Sequence, residues 1–245
     1  MITIATAITI TTTSMAEPAA APAALYRLLA WMSPAYPVGA FSYSHGLEWA
    51  VETGDIADLG SLVDWLSIVM REGSGLADAT FCAHAHRAVA AGEGRALAEV
   101  AELALAFQPS KERRLETTAQ GNAFMAATEA AWPAPELKLV RSAWPDAVAY
   151  PVAVGAATAA HGIDEATALH AFLHAVAANL ISAAVRLVPL GQTDGQRALA
   201  AMEPVVTVTA AAARSLGLDD IGGHALRSDI ASMRHETQYT RLFRS

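Results

Sequence analysis

The chain is poor in cysteine and in basic side chains. Of its 245 residues only Cys82 is a cysteine, so no internal disulfide can form and nothing indicates an oxidising compartment. The formal net charge is -8 at pH 7. An acidic protein repels phosphate backbones, which argues against a nucleic acid as the main partner. We therefore predict a cytoplasmic protein with one large domain.

The motifs of nucleotide-binding and serine enzymes are also missing. There is no G-x-x-x-x-G-K-[ST] loop, no G-x-G-x-x-G turn after a strand and no G-x-S-x-G elbow. Ser44 and His45 are neighbours in the sequence, and their side chains would point apart on a helix. These absences argue against nucleotide hydrolysis and serine catalysis, and we predict no catalytic residue and no cofactor.

Strand patterns are weak, whereas helical periodicity runs through almost the whole chain. Between residues 61 and 73 the apolar residues recur at the spacing of one helix face, namely Leu62, Trp65, Leu66, Val69 and Met70. Further helices are predicted over 25–32, 44–52, 76–91, 95–107, 135–143, 147–160 and 196–216, with a long one between Pro109 and Pro133. The sequence therefore predicts an all-α, single-domain multi-helix bundle.

One segment is apolar enough to raise the question of a membrane span. It has no charged residue between Glu165 and Arg186. His170, His174 and Asn179 lie inside it, however, and neither an aromatic belt nor a cluster of lysines flanks it. The centre of a large helical bundle needs the same kind of helix, so we predict a buried helix and no membrane.

The same segment offers the sharpest enzymatic alternative. His170 and His174 are four residues apart and share a helix face, as in the zinc-binding H-E-x-x-H motif, but no glutamate stands between them to act as base. One interpretation is a metal-dependent hydrolase built on this pair. The other is two histidines that line a buried helix and are satisfied by backbone or neighbouring groups. We favour the second and predict no metal site.

The ends of the chain differ from the middle. Residues 1–14 alternate apolar residues with threonine without the basic start of a signal peptide, so we predict a disordered extension over 1–22, with Met1 or Met15 as the start. Residues 23–226 form the predicted all-α domain. Residues 227–245 read RSDIASMRHETQYTRLFRS and combine four arginines with aromatic residues. Such residues dominate binding hot spots, so we predict a flexible tail that docks on a partner.

Four motifs in this order resemble the UreF family of urease accessory proteins. They are SPAYPVGAFSYSHGLEWA at 33–50, SKERRLETTAQGNAF at 110–124, VPLGQTDGQ at 188–196, and the C-terminal tail. The resemblance covers the chain from about Leu25 onward. It implies an all-α protein without enzymatic activity, which forms a homodimer and joins UreD, also called UreH, to the GTPase UreG. That complex docks on apo-urease and assists nickel insertion, so the resemblance implies a nickel-insertion chaperone.

The resemblance also implies which residues bind partners. In the tail they are Arg234, His235, Glu236, Tyr239, Arg241, Leu242, Phe243 and Arg244, which would dock on UreD. In the first motif they are Pro37, Gly39, Phe41, Ser42, Ser44, Gly46 and Glu48. The family places its GTPase contacts on the surface of the dimer rather than in a single motif.

Overall fold

The computed structural model of the protein describes residues 20–245, so most of the predicted extension over 1–22 lies outside the described residues. Within residues 20–245 the chain forms eleven α-helices and two short 3-10 helices and no strand, which confirms the all-α prediction. The helices are α1 Ala20–Trp31, α2 Leu47–Glu52, α3 Leu59–Glu72, α4 Ser74–Ala91, α5 Gly94–Ala106, α6 Lys111–Ala131, α7 Leu137–Ala143, α8 Tyr150–Ala160, α9 Glu165–Leu187, α10 Gln192–Ser215 and α11 Leu226–His235.

Helix α2 begins later than its sequence pattern predicts. It starts at Leu47 instead of Ser44, because His45 and Gly46 adopt left-handed backbone conformations with φ of 59° and 75°. A left-handed residue cannot continue an α-helix. The stretch before α2 is therefore a compact loop, and Gly46 occupies the N-cap position.

The centre of the bundle is helix α8. It contains no charged residue, and it packs against α4, α6 and α9. Gly155 lets the backbones of α8 and α4 approach closely, since a Cβ atom there would lie 2.2 Å from the carbonyl oxygen of Cys82. Gly121 of α6 does the same on another side, where a Cβ would lie 2.0 Å from the carbonyl oxygen of Val148. Small residues thus set the spacing of the central helices.

Helix α9 is the long apolar segment, and its packing corrects one interpretation. Among the described residues it is the one helix long and apolar enough to cross a membrane, and 50% of that stretch is buried inside the bundle. Its buried face includes Leu169, Phe172 and Leu173. His170 and His174 lie on the opposite, exposed face, so the interpretation as histidines lining a buried helix was wrong. A helix buries one stripe, and this pair falls outside it.

The C-terminal segment, residues 226–245, is not extended away from the body. Helix α11 packs against α2 and α6, and residues 236–245 continue over the same two helices. Phe243 is 5% exposed and His235 is fully buried. The prediction of a flexible tail considered the segment alone, whereas polar groups that hold it lie between 123 and 201 residues earlier in the chain.

Candidate functional site

Two of the sequence motifs and the C-terminal segment meet at one place. Three glutamates form its base: Glu48 of α2 and, one turn apart, Glu112 and Glu116 of α6. We call these three residues the carboxylate seat. Glu48 and Glu116 are 7% and 1% exposed, so both are largely removed from water. Buried carboxylates require hydrogen-bond donors, and the C-terminal segment supplies them.

Glu48 holds the backbone of the segment. Its carboxylate accepts hydrogen bonds from the backbone N–H groups of Leu242 at 2.6 Å and Phe243 at 3.0 Å. Its Oε2 also lies 3.1 Å from Nε2 of His235. Bonds to an ionised acceptor are each worth about 1.5 to 3 kcal/mol, roughly twice a neutral pair. One glutamate in the first motif therefore fixes two parts of the C-terminal segment.

Glu112 holds two side chains of the segment. Its Oε2 lies 2.6 Å from Nδ1 of His235, and its Oε1 accepts a hydrogen bond from Nη1 of Arg241 at 2.7 Å. The segment returns a contact at the start of α6, where Oε1 of Glu236 accepts from the backbone N–H of Lys111 at 2.8 Å. A carboxylate at the start of a helix is favoured by unpaired N–H groups and by the helix dipole.

Glu116 connects the segment to the interior. Oε2 of Glu116 lies 2.6 Å from Nη1 of Arg113 and accepts from the hydroxyl of Ser245 at 2.7 Å. Nδ1 of His45 lies 3.0 Å from Oε1 without the angle of a hydrogen bond, and burial together with Arg113 lowers the pKa of His45. Burial raises the pKa of Glu116, but Arg113, His45 and Ser245 outweigh it and lower the pKa to about 2. Glu116 is therefore ionised at neutral pH.

A small cavity of about 240 Å³ lies behind the seat. Its polar wall includes His45, Asp78, Arg113 and Glu116. Asp78 has only a distant partner, since its Oδ2 lies 3.8 Å from Nη2 of Arg113. Burial raises the pKa of Asp78 to about 6 despite this arginine. The cavity is thus bordered by a carboxyl group that titrates near neutral pH.

The first motif also fits the segment through its backbone. The backbone N–H of Ser44 donates to the carbonyl of Ser245 at 2.6 Å, and the N–H of Arg244 donates to the carbonyl of Ser42 at 2.8 Å. Gly46 faces α11 so closely that a Cβ would lie 2.5 Å from the backbone nitrogen of Ser232. This glycine is required both by its left-handed conformation and by the approach of α11.

Arg186, at the end of α9, closes the other side of the segment. Its guanidinium lies 4.4 Å from the centre of the Phe243 ring and donates to the carbonyl of Phe41 at 3.0 Å. Stacking of a cation on an aromatic ring adds to the attachment of Phe243. The motif at 188–196 follows directly and forms the turn into α10, outside the carboxylate seat.

Helix α11 has its polar side inward and its apolar side outward. Ala231, Ser232 and His235 are buried. The exposed side carries Leu226, Ile230 and Met233, which are spaced at i, i+4 and i+7 and are 66%, 52% and 47% exposed. Tyr239 and Leu242, later in the same segment, are also exposed. We call these five residues the outer stripe.

Comparison with known proteins places this arrangement in a family. The family model described as UreF matches residues 56–203, more than half of the chain. The chain belongs to the UreF family. Proteins named urease accessory protein UreF from Rhodopseudomonas palustris strain BisB5 and Bradyrhizobium sp. strain BTAi1 are each 60% identical to it, over 91% of this chain and 92% of theirs. The relative from Bradyrhizobium diazoefficiens is 58% identical over the same shares.

Against this UreF background, the residues predicted to bind partners fall into three groups. Ser44, Gly46, Glu48, His235 and Phe243 are buried and hold the C-terminal segment to the body. Gly39, Ser42 and Glu236 are half-buried. Pro37, Phe41, Arg234, Tyr239, Arg241, Leu242 and Arg244 are exposed. The exposed group is the most accessible to another molecule in this conformation, although Arg241 is also paired with Glu112.

Sequence reasoning missed two parts of the site. One is the pair Glu112 and Glu116 with Arg113, although the charged run KERRLE was a visible signal for a polar contact at the start of α6. The other is the outward row Leu226, Ile230 and Met233, whose helical spacing could have been read from the sequence.

The pair His170 and His174 does not gain a third ligand. Nδ1 of His170 lies 2.8 Å from the carbonyl oxygen of Ala166, within its own helix. In residues 20–245 no group of three or more histidine, cysteine, aspartate or glutamate side chains could hold a metal ion. UreF is a family of accessory proteins rather than enzymes, and the hydrolase alternative finds no support in this arrangement.

Proposed function

We propose that this protein is a scaffold of urease maturation in the cytoplasm. It joins UreD to the GTPase UreG on apo-urease and assists nickel insertion without catalysing a reaction itself. Its membership of the UreF family and the names of its relatives as urease accessory proteins support a role in urease maturation. The assignment of individual partners rests on exposed surfaces of the molecule.

The outer stripe is the observation that carries the proposal. It places Leu226, Ile230, Met233, Tyr239 and Leu242 in water, although burying such side chains inside the protein would stabilise each by about 1.5 to 3 kcal/mol. Single exposed apolar residues are ordinary, but five on one short segment form a patch of the kind found at interaction sites. Polar contacts with the carboxylate seat hold the inner side of the segment, so its apolar outer side remains available.

The charge around the outer stripe fits an acidic rim on the partner. Arg234, Arg241 and Arg244 are exposed beside it. Arginine and tyrosine next to aliphatic side chains are the composition of a binding hot spot. We assign this surface to UreD, and we assign the exposed residues Pro37 and Phe41 of the first motif to a further partner contact, with UreG as the candidate.

A second surface suits the proposed homodimer. Most of the exposed face of α9 bears uncharged side chains or histidines, including Thr167, His170, His174 and Ser182, and the exposed Arg186 follows at its C-terminal end. Beside it, a groove between α9 and α10 is lined by Ala177, Leu199 and Val206 among others. A long face with few charged side chains, Arg186 and the groove residue Glu203 being exceptions, has a small desolvation cost, so a second copy of this chain is its proposed occupant.

The test compares two pairs of surface substitutions. Ile230→Ser with Met233→Ser removes half-exposed apolar groups from the outer stripe, while Ile68→Ser with Val208→Ser removes exposed apolar groups of 48% and 56% exposure elsewhere. Co-purification with tagged UreD is measured first, followed by urease activation with UreG, nickel and bicarbonate. We expect the first pair alone to lose UreD and activation. Equal retention of UreD by both pairs would contradict the assignment.

A further inference from the structure

The cavity behind the carboxylate seat lies where several parts of the chain meet. Residues 33–41 form one wall, residues 113–120 of α6 form a second and residues 172–182 of α9 form a third, while Asp78 of α4 also lines it. The motif at 110–124 thus contributes to this cavity as well as to the carboxylate seat. Attachment of the C-terminal segment therefore explains only part of that motif.

The cavity reaches the surface at one side. Pro34, Phe41 and His174 of its walls are exposed, whereas Asp78 and Phe172 are buried. Its volume of about 240 Å³ is several times the roughly 30 Å³ that one water molecule occupies in the liquid. It is below the range of pockets for drug-sized ligands, which begins at about 300 Å³. A molecule of a few non-hydrogen atoms therefore fits.

Asp78 is the group in this cavity that its surroundings leave unsatisfied. The residue is 9% exposed. Within residues 20–245 its closest opposite charge is Nη2 of Arg113, which lies 3.8 Å from Oδ2 and is too far for a hydrogen bond. The same arginine contacts Glu116 at 2.6 Å through Nη1. A carboxylate buried without donors costs free energy, and such costs are expected at functional sites.

The buried and half-buried titratable groups of the wall leave one negative charge in excess. Arg113 and Glu116 neutralise each other across 2.6 Å. Burial and Arg113 lower the pKa of His45, so this ring is neutral at pH 7. Burial raises the pKa of Tyr150, so its phenol stays protonated. Burial raises the pKa of Asp78 only to about 6, so most of this carboxyl group is ionised at pH 7. The inside of the cavity therefore attracts a cation.

Aromatic rings form much of the remaining wall. Trp31, Tyr150 and Phe172 line the cavity, and the exposed Phe41 lines it at the open side. The faces of aromatic rings carry partial negative charge and attract ammonium groups. Rings of this kind beside a buried carboxylate are therefore suited to an organic ammonium cation.

Neutral oxygens in the wall add hydrogen-bond acceptors. The amide nitrogen of Gln120 donates to Oε1 of Glu116 at 3.0 Å, which leaves the amide oxygen of Gln120 as an acceptor. The amide of Asn179 and the hydroxyl of Tyr150 also line the cavity. A primary ammonium group carries three N–H donors and no acceptor, so it needs a carboxylate and further oxygens of this kind.

The composition of the wall disfavours the other classes of small ligand. An anion would meet the carboxylate of Asp78. A transition metal ion needs several histidine, cysteine or carboxylate ligands, and no group of three or more such side chains in the part of the chain described could hold one. An ammonium cation needs one carboxylate, and the cavity offers one without a close partner.

We propose that this cavity binds a small primary ammonium cation of about the size of methylammonium, with Asp78 as its counter-ion. The cation supplies the donors that Asp78 lacks, so binding offsets the cost of burying this carboxylate. Because residues 33–41 form one wall, an occupied cavity also stabilises the loop between α1 and α2. The proposal does not depend on UreD, UreG or urease.

The first test is thermal unfolding of the full chain at pH 7, with methylammonium chloride as the probe and potassium chloride at the same concentration as the control. A ligand at ten times its dissociation constant raises the midpoint of unfolding of a chain of this size by about 3 to 6 °C. We expect a saturable rise of this size with methylammonium beyond that with potassium. Equal midpoints in the two salts would overturn the proposal.

Two variants show whether Asp78 is the counter-ion. Asp78→Asn keeps the shape of the side chain but removes its charge, so the rise specific to methylammonium should disappear. Asp194→Asn is the matched control and should keep the rise, because Asp194 pairs with Arg197 outside the cavity. A rise of unchanged size in Asp78→Asn would contradict the assignment.

NMR of the tryptophan indole groups locates the bound cation and needs only the wild type. Trp31 lines the cavity, and its Nε1 is buried without a hydrogen-bond partner among residues 20–245. Trp65 of α3 lies outside the cavity. Titration with methylammonium should shift the indole signal of Trp31 and the side-chain amide signals of Gln120 and Asn179, and should leave Trp65 unchanged. Trp31→Phe identifies the signal.

The outcome of the titration separates this site from general salt effects. A saturable change confined to the residues of the cavity is the expected result. If Trp31 does not respond, or if Trp65 responds equally, methylammonium does not occupy the cavity and the proposal fails. None of these measurements involves a partner protein, so their failure leaves the proposed function in urease maturation untouched.

Discussion

Helices α8 and α11 have nearly the same length, 11 and 10 residues, but they are built in opposite ways. Helix α8 is apolar on all sides and lies at the centre of the bundle, where Gly155 brings it against α4. Helix α11 buries Ser232 and His235 and leaves Leu226, Ile230 and Met233 in water. The first arrangement is what folding requires, whereas the second leaves apolar side chains in water, where we have proposed that a partner binds.

The interactions that hold α8 and α11 in place also differ in kind. Around α8 the close packing of small residues leaves no room for an added methyl group, and dispersion and apolar burial supply the stability. Around α11 the attachment depends on the carboxylate seat, where each charge-assisted contact is specific in geometry. The helices around α8 should therefore unfold together, whereas the C-terminal segment should detach by itself.

The largest effect should come from Gly155→Ala. Its Cβ would meet the carbonyl oxygen of Cys82 at 2.2 Å, so the α4 and α8 backbones must separate. We expect a loss of about 3 kcal/mol in the free energy of unfolding, measured by denaturant titration. Gly60→Ala in α3 is the control, because its Cβ meets nothing closer than 3.5 Å. Equal stability of the two variants would refute the role of close packing at the centre.

Gly46→Ala should detach the C-terminal segment without unfolding the centre. Its Cβ would lie 2.5 Å from the backbone nitrogen of Ser232, and its φ of 75° disfavours alanine. Gly39→Ala is the matched control, since φ there is 74° but no atom lies within 4 Å of the added Cβ. Hydrogen exchange of residues 236–245 measures the free energy of opening of the segment. We expect Gly46→Ala to lower it by about 2 kcal/mol more than Gly39→Ala does.

Asp78 lies between the two regions and should make stability depend on pH. Burial raises its pKa to about 6, above the ordinary value of 3.8, so the folded state binds the proton more tightly. Its contribution to stability is therefore present below about pH 4 and lost as pH rises through 6. The Asp78→Asn variant carries no group that titrates here. Its free energy of unfolding relative to that of the wild type should therefore increase by roughly 2 kcal/mol between pH 4 and pH 7.

That difference is measured by denaturant titration at both pH values. Asp194→Asn on α10 is the control, because this aspartate has a surface ion pair with Arg197 and lies outside the cavity. A relative stability of Asp78→Asn that stays constant from pH 4 to pH 7 would show that Asp78 is not buried as described.

The smallest effect on stability should come from the outer stripe. Ile230→Ser replaces a 52% exposed side chain. The free energy of unfolding, measured by thermal denaturation, should therefore change by less than about 0.5 kcal/mol. Val152→Ser in α8 replaces a fully buried side chain and should cost about 2 kcal/mol or more. Comparable losses in both variants would mean that the outer stripe is part of the core.

The sequence predicts burial well where the apolar pattern of a single helix decides which side faces the core. Leu62, Trp65, Leu66, Val69 and Met70 were predicted to share a buried face; four of them are buried and Trp65 is half-buried. It was not informative where side chains distant in the chain meet. Glu48, Glu112 and His235 are separated by at least 64 residues, and no local periodicity reveals that they converge. The exposure of His170 was missed for a related reason, because neighbouring helices determine which face of an apolar helix is covered.

Hydrogen exchange of the wild type and Gly46→Ala, followed in residues 150–160 and 236–245, tests the central claim most directly. We predict that the wild type protects both regions and that Gly46→Ala loses protection only in residues 236–245. If residues 236–245 exchange freely in the wild type, or if both regions lose protection together in Gly46→Ala, the C-terminal segment is not a separately seated layer with an outward docking surface.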